Sequence, residues 1–371
     1  MKVTDIKVRL VAASRQTWVF AKVETDEGVY GWGEGSLEGQ EKAVEQAIYV
    51  LAQRVIGEDP TNIERHWQVM YRHGFWRGGV ILNSALAAID QALWDVTGKI
   101  YNLPVYKLLG GKVRDRVRAY THASTPEQAA RLAQEGYLGI KVGGMRYSGT
   151  VVPTKAAASL KEYIKSMREA VGPDVQLMID NHGRAWPSLA IEQIRAVEEY
   201  GVTFFEEAVP PDNVDAFQRV RQNMTRMNLA TGERLFSRWD YRRLIEQQLV
   251  DIIQPDVCHC GGISELRRIA AAAETYYIRV APHNPNGPVA TAASIHLGAG
   301  MPNFSVLEYV VPPSEVKVVK SAPILPQAGH FPIPEAPGLG VDLDEAAMDA
   351  FPYVAKSFPS FYYEDGGVAD V

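Results

Sequence analysis

Cysteine is scarce. The 371 residues contain two, Cys258 and Cys260, which are too few for a disulfide framework and suit a reducing compartment. The run Cys258-His259-Cys260 looks superficially like a soft-metal site. It lacks a second ligand pair at zinc-like spacing, so packed thiols at a strand end are the better reading. Long apolar runs are also missing. None approaches the roughly 18 residues a membrane-spanning helix needs, and the start, MKVTDIKVRLVAA, has no continuous apolar core of secretory type. These absences predict a cytoplasmic protein with no membrane partner. Nor is positive charge in excess. Lys and Arg number 38 against 44 Asp and Glu, for a net charge of −6 and a pI near 5.8. A nucleic-acid partner wants a basic face and is disfavoured. An anionic substrate would find no global attraction, so it would need a local positive centre such as a metal ion. Neither GWGEG near the start nor GGVADV near the end sits in the βαβ setting of a nucleotide fingerprint.

What is present falls into two styles. Val3 to Leu10 alternate, Trp18 to Glu24 alternate again, and VYGWGE follows the turn TDEG, which predicts a three-stranded antiparallel meander. Arg15 to Thr17 form a polar loop between the first two strands. Helical patterns follow near 40–56, 63–71 and 83–101, the last Ala-rich and amphipathic. Between the last two lies YRHGFWRGGV, whose glycine-rich, aromatic and basic composition suits a mobile cover. Residues 1–112 therefore read as an α+β domain. From 113 the style changes to alternation. Strands are predicted near 118–122, 138–142, 175–181, 203–207, 227–232, 251–255, 277–282 and 304–309, with seven helices between them. Eight such strands mean a parallel barrel or a doubly wound sheet. After Val310 the chain turns Pro-rich (PPSEV, PILPQ, FPIPEAPGLG). The segment 321–371 is expected to wrap back over the first domain and end in a loose tail.

One regularity favours the barrel. Asp180, Glu206, Glu233, Asp256, His283 and Glu308 each end a short apolar run, at steps of 26, 27, 23, 27 and 25 residues. One strand, one helix and two loops consume about that length, and barrel enzymes keep their chemistry at the strands' C-terminal ends. Asp180, Glu206 and Glu233 end three consecutive strands and could meet at one ion. All-oxygen ligation suits Mg²⁺ best, one per subunit, with Mn²⁺ next. The plainer alternative is that each acid caps a helix or makes a surface ion pair. His182, two residues past Asp180, is expected on the same strand face; otherwise it is a turn histidine. Asp256 beside His283 would fix the imidazole tautomer and make a general base, or else form a pair for stability alone. Glu308 is costly unless paired or kept protonated. If protonated it could donate a hydrogen bond to substrate; the alternative is an ion pair with an arginine such as Arg234.

These residues resemble a known family. The sequence is similar to the enolase superfamily, in its mandelate racemase subgroup, over essentially the whole chain. Within that subgroup it looks most like acid-sugar dehydratases of the D-galactonate dehydratase type. The likeness is carried by VETDEGVYGWGE, SALAAIDQALWDVTGK and YKLLGG, then by MYRHGFWRGG, DNHGR, FFEEAV, TGERLFSR, QPDVCHCGGI and APHNPNGP. It implies a modified (β/α)8 TIM barrel of (β/α)7β type, with an α+β N-terminal capping domain completed by C-terminal residues. It implies Asp180, Glu206 and Glu233 as Mg²⁺ ligands, Asp256 and His283 as a dyad, Glu308 as an electrophilic hydrogen-bond donor and His182 as the second acid/base. Lys141 would add positive charge at the substrate carboxylate. Loops around Trp18 and around His73, Trp76 and Arg77, with Arg184, would contact the sugar. The expected reaction removes the proton α to a carboxylate and expels the β-hydroxyl as water, leaving a 2-keto-3-deoxy acid. D-Galactonate comes first among candidate acid sugars, and a homo-oligomer, dimer or octamer, is expected. Three positions depart from the subgroup. Gly143 stands where racemases carry a second lysine, Ala208 replaces a proline, and Asn181 replaces an apolar residue and is expected to point away from the mouth. Two other readings remain: a racemase or epimerase of an α-hydroxy acid or acid sugar on the same fold, and a non-catalytic metal-binding or assembly protein.

Overall fold

The computed structural model describes the chain except residues 14–15, 145–149, 225, 311–316, 357–358 and 371. Arg15 of the expected polar loop and the PPSEV run at 312–316 therefore lie outside the described residues. The opening meander is present. Val3–Ala12, Thr17–Thr25 and Tyr30–Glu34 pair antiparallel in that order, and Gly28, at φ 78°, makes the second turn. The helix Val80–Ile100 lies directly on the third strand, and the glycines of GWGEG permit it. A Cβ at Gly33 would stand 1.8 Å from the Ala88 carbonyl oxygen, and one at Gly31 2.4 Å from that of Ala92. Alanine on the helix and glycine on the strand thus serve one close contact. Helices Glu41–Ala52 and Ile63–Arg72 complete this unit, which has its own apolar core around Val19, Ile48, Trp67 and Ile89.

Eight parallel strands follow: Arg116–His122, Gly139–Gly143, Gln176–Asp180, Val202–Glu206, Asn228–Thr231, Ile252–Ile253, Arg279–Val280 and Leu307–Glu308. Each pairs with the next, up to the seventh. The eighth pairs with the first through Leu307↔Ala119 and Glu308↔Tyr120, while Phe304 bridges Val280 of the seventh, so the ring closes. Among the described residues seven α-helices connect the eight strands, which is the expected (β/α)7β barrel. Tyr120, Met178, Phe204, Ala230, Ile252, Ala281 and Val306 form a separate buried cluster. They come one from each of seven strands or the residues flanking them, and they fill the barrel interior as a packed layer. Two residues further along, strand periodicity places His122, Asp180, Glu206, His283 and Glu308 one level higher, at the mouth.

The C-terminal segment departs from expectation. It does return to the opening unit. Asp342 accepts from Trp32 Nε1 at 3.2 Å, Lys22 pairs with Glu345 at 2.5 Å, and the Ala12 N–H donates to Phe351 O at 3.0 Å. It does not then end as a loose tail. Phe361–Tyr363 pairs antiparallel with Val368–Ala369 and parallel with Thr150–Val151, which follow the second barrel strand. The hairpin Phe361–Ala369 is therefore fixed to the barrel, and the segment before it to the opening unit.

Candidate active site

Asp180 and Glu206 are register partners at the ends of neighbouring strands. Glu233 lies two residues past the next strand, where Gly232 (φ 143°) turns the chain. One carboxylate oxygen from each of the three lies within 4.8 Å of the others. Glu233 Oε2 is buried and lacks an aligned hydrogen-bond donor. A row of buried carboxylates with an unsatisfied oxygen fits a hard, oxygen-seeking divalent cation.

Lys141 enters from the second strand and is 2% exposed. Its Nζ lies 3.3 Å from Asp180 Oδ2, 3.0 Å from Glu206 Oε2 and 2.7 Å from Glu308 Oε1. It is thus the local countercharge of the acid cluster. Burial would raise the Asp180 carboxyl, but Lys141 and His182 outweigh it and hold the group well below its usual range. Burial and Asp180 together push Glu206 well up. Burial, with Glu207 next, lifts Glu233 to about 8. A cation binding here must displace protons held by Glu206 and Glu233. The affinity for a divalent cation is therefore expected to rise with pH and to flatten above about 8, as Glu233 ionises. Calorimetric titration in buffers of different ionisation enthalpy should show net proton release, and pH-independent binding without release would contradict it.

His283 Nδ1 donates to Asp256 Oδ2 at 2.7 Å. That bond fixes the tautomer and turns Nε2 into the mouth, 3.2 Å from Glu233 Oε2 and 3.8 Å from Glu308 Oε2. Burial would lower the imidazole, but Glu233, Glu308 and Asp256 raise it well above its ordinary value. His182 sits beside Asp180 for a different reason than strand parity. The strand ends at Asp180, and His182 occupies a left-handed turn at φ 50°, with its N–H 3.0 Å from Asp180 Oδ1 and Nε2 2.9 Å from Oδ2. Asn181 does point away from the mouth, donating to Ala208 O at 3.3 Å.

Three expectations are corrected. The setting of Glu308 differs from the isolated acid expected: burial favours protonation, but Lys141 and His283 pull the group well below the usual carboxylate range. It does not pair with Arg234, which instead forms a two-point ion pair with Glu207 at 2.6 and 3.0 Å. Trp18 is not on a loop. It is 4% exposed, lies in the second strand and packs close to Gly287.

The flanking helices bring the 73–79 loop to the rim of the mouth, through Trp67 Nε1 to Gly261 O at 2.9 Å and Asn83 Nδ2 to Phe236 O at 2.7 Å. His73, Trp76 and Arg77 are all exposed there. Among the described residues no hydrogen bond or ion pair joins them to the mouth. The Arg184 guanidinium lies 5.3 Å from the centre of the Phe361 ring of the C-terminal hairpin. Cys258 and Cys260 are buried free thiols, as expected, and His259 bonds Ser84.

Comparison with known proteins adds a decisive observation. Residues 2–110 match the N-terminal domain of the mandelate racemase / muconate lactonizing enzyme family, and residues 124–347 match the enolase C-terminal domain-like family. The chain belongs to the mandelate racemase subgroup of the enolase superfamily. A D-galactonate dehydratase from Ralstonia pickettii (strain 12J) is 39% identical to this subgroup member, over 95% of this chain and 96% of the relative. An enolase from Agrobacterium radiobacter, provisionally a galactarate dehydratase, with sodium and L-malate bound, superposes with a TM-score of 0.94 at 34% identity over all of both chains. An enolase from Pantoea ananatis with D-gluconate and magnesium bound gives 0.91 at 31% identity, over 99% of each chain.

Sequence reasoning missed one residue of this subgroup member's mouth. His122 ends the first barrel strand, and its Nε2 donates to Glu308 Oε1 at 2.5 Å. Burial lowers its imidazole below the ordinary value despite the neighbouring Glu308, which favours a neutral ring as the donor. The signal was available, because His122 ends a predicted strand just as Asp180 does. It escaped because the regular series was counted only from the third strand onward.

Proposed function

We propose that this chain is an Mg²⁺-dependent acid-sugar dehydratase, with D-galactonate the first substrate to test and gluconate or arabinonate next. The observation that carries the reading is the placing of two histidines at the two ends of the carboxylate row. His182 touches Asp180, the first of the three, and His283 faces Glu233, the last. A substrate held over the row would therefore meet one imidazole on each side. The dehydratase and the acid-sugar-bound enolase reported above support the same class.

Asp180, Glu206 and Glu233 would hold the cation. When bound, it would supply Lewis-acid charge stabilisation for a carboxylate whose α-proton is leaving. The chain's own residues do the rest. His283, oriented by Asp256, takes the α-proton on Nε2 from its neutral form. Lys141 adds fixed positive charge beside the developing enolate, and Glu308 is the anchor that holds Lys141, His122 and the Asn284 N–H around it. His182 gives a proton to the departing β-hydroxyl. The enol product then ketonises to the 2-keto-3-deoxy acid. Gly143 leaves the second strand with no further lysine base, which weakens a lysine-dependent racemase.

The test is a panel of mono- and diacid sugars with Mg²⁺, assayed for 2-keto acid with semicarbazide. A positive reaction with at least one C5–C6 aldonate is expected. Changing optical rotation without 2-keto acid would replace the reading with a racemase or epimerase. No turnover despite bound Mg²⁺ would favour a non-catalytic protein.

The same proposal includes the domain limits 1–112, 113–320 and 321–371, supported by the separate core of the opening unit. It also includes sugar contacts by Trp18, His73, Trp76, Arg77 and Arg184. A homo-oligomer, dimer or octamer, is supported by Phe75 and Trp76, which are 88% and 85% exposed. A cytoplasmic setting is supported by the two reduced cysteines.

A further inference from the structure

The GWGEG stretch found no role as a nucleotide motif, yet its glutamate is fully buried. Glu34 ends the third strand of the capping domain and crosses to the barrel. Its Oε1 accepts the Gly287 N–H at 2.7 Å and the Ser36 hydroxyl at 2.6 Å; its Oε2 accepts the Ala290 N–H at 2.9 Å. Gly287 is four residues beyond His283 and opens the helix Pro288–Gly300. Burial lifts the Glu34 carboxyl to about 7, and its two oxygens satisfy two otherwise unpaired N–H groups at that N-terminus.

The same buried unit also reaches the partner of His283. Gln91, fully buried, donates through Nε2 to Glu34 O at 2.7 Å and to Val257 O at 3.2 Å, and Val257 is the residue after Asp256. Gln16 Nε2 donates to Pro285 O at 2.9 Å. Inside the loop, Asn286 Nδ2 reaches both Asp256 oxygens at 3.0 and 2.8 Å, and the Asn284 N–H reaches Glu308 Oε2 at 3.0 Å. Every stretch of 284–287 is thus pinned, and the pins on its outer side come from the capping domain.

We infer that Glu34 is a positioning residue for the Asp256–His283 dyad, so that the capping domain sets the aim of the catalytic imidazole besides covering the mouth. This rests on the dyad reading given above. Glu34 touches none of Asp180, Glu206 and Glu233, so its loss should move the imidazole and leave the cation site alone. The space around it is closed as well. A Cβ at Gly287 would stand 2.8 and 3.0 Å from the two Glu34 oxygens and 3.0 Å from the Trp18 ring. Gly287 has φ −83°, so an alanine there is opposed by this contact and not by its backbone.

The test is Glu34→Gln in the full-length protein. It keeps the size of the side chain but faces an amide N–H₂ toward backbone donors. Three measurements are made: the low-field proton resonance of the His283 Nδ1–H···Asp256 bond, assigned by its loss in His283→Asn; Mn²⁺ binding by electron paramagnetic resonance; and kcat and KM on whichever aldonate the wild type turns over. The expected result is a lost or displaced low-field proton, Mn²⁺ affinity and KM within about threefold of wild type, and kcat reduced about 10²-fold, the cost of a misplacement near 1 Å. Asp90→Asn is the comparison. Asp90 is an equally buried carboxylate that accepts from the Ser264 N–H at 3.0 Å and hydroxyl at 2.5 Å, and it should lower the melting temperature with kcat unchanged. A wild-type low-field proton and wild-type kcat in Glu34→Gln, with only the melting temperature reduced, would overturn the inference. If Glu34→Gln does not fold, Gly287→Ala puts the same question from the other side of the contact, with the same outcomes. If the wild type turns over no aldonate, the dehydratase reading fails, and the proton resonance still decides the role of Glu34.

Discussion

Glu206→Gln should reduce turnover of the aldonate substrate by about 10³-fold or more and remove the stabilisation that Mg²⁺ gives the folded chain. Glu206 is the middle of three carboxylates in a row, fully buried, and register-paired with Asp180. The amide preserves shape but supplies a neutral oxygen where a charged one is needed. Metal ions contribute several kcal/mol to charge stabilisation in such reactions, and each ~1.4 kcal/mol is a factor of ten in rate. The fold should survive, because Lys141 keeps Asp180 at 3.3 Å and Glu308 at 2.7 Å as partners. Thermal unfolding with and without Mg²⁺ reads the binding directly. Wild type should gain about 2.7 kcal/mol at a hundredfold excess over its Kd, and the variant close to nothing. A variant that keeps the Mg²⁺ shift and turns over within tenfold of wild type would remove Glu206 from the metal site.

The row of acids was legible because a barrel imposes a rhythm on sequence. A strand, its loop and its helix use a fixed length, and polar residues at strand ends cannot be there to fill a core. That logic found Asp180, Glu206 and Glu233, and the structure brings them within 4.8 Å. It also found the closed ring, since all eight predicted strands are present in order. The same logic does not reach across strands. Whether Glu308 is protonated depends on Lys141, which arrives from another strand and 167 residues earlier, and a local apolar run around Glu308 says nothing of that. His182 illustrates a right neighbour reached by a wrong path, since a left-handed turn and not strand parity delivers it. The tail is the least legible part. Tyr362 pairs with Thr150, and a two- or three-residue strand bonded to so remote a segment leaves no periodicity to read.

The two histidines should separate when the α-proton and the leaving group are followed independently. In D₂O, His182→Asn is expected to exchange the substrate α-proton without releasing 2-keto acid, while His283→Asn should do neither. The asymmetry follows from what each imidazole touches. His283 is held by Asp256 through Nδ1, so its free Nε2 has a fixed direction, which abstraction from carbon needs. His182 is 45% exposed and leans on Asp180 through Nε2; that carboxylate is the largest influence raising its imidazole above the ordinary value. The imidazole of His283 is raised as well, so titration does not divide the roles; the fixed aim of His283, set against the exposed ring of His182, does. Each substitution removes one acid–base step and should cost about 10²–10⁴-fold in dehydration. Only His283→Asn should also silence exchange, because without the base no carbanion forms. ¹H NMR of the recovered aldonate reads exchange and semicarbazone absorbance reads product. The opposite pattern, exchange retained in His283→Asn and lost in His182→Asn, would swap the roles, and Glu34 would then be positioning the acid.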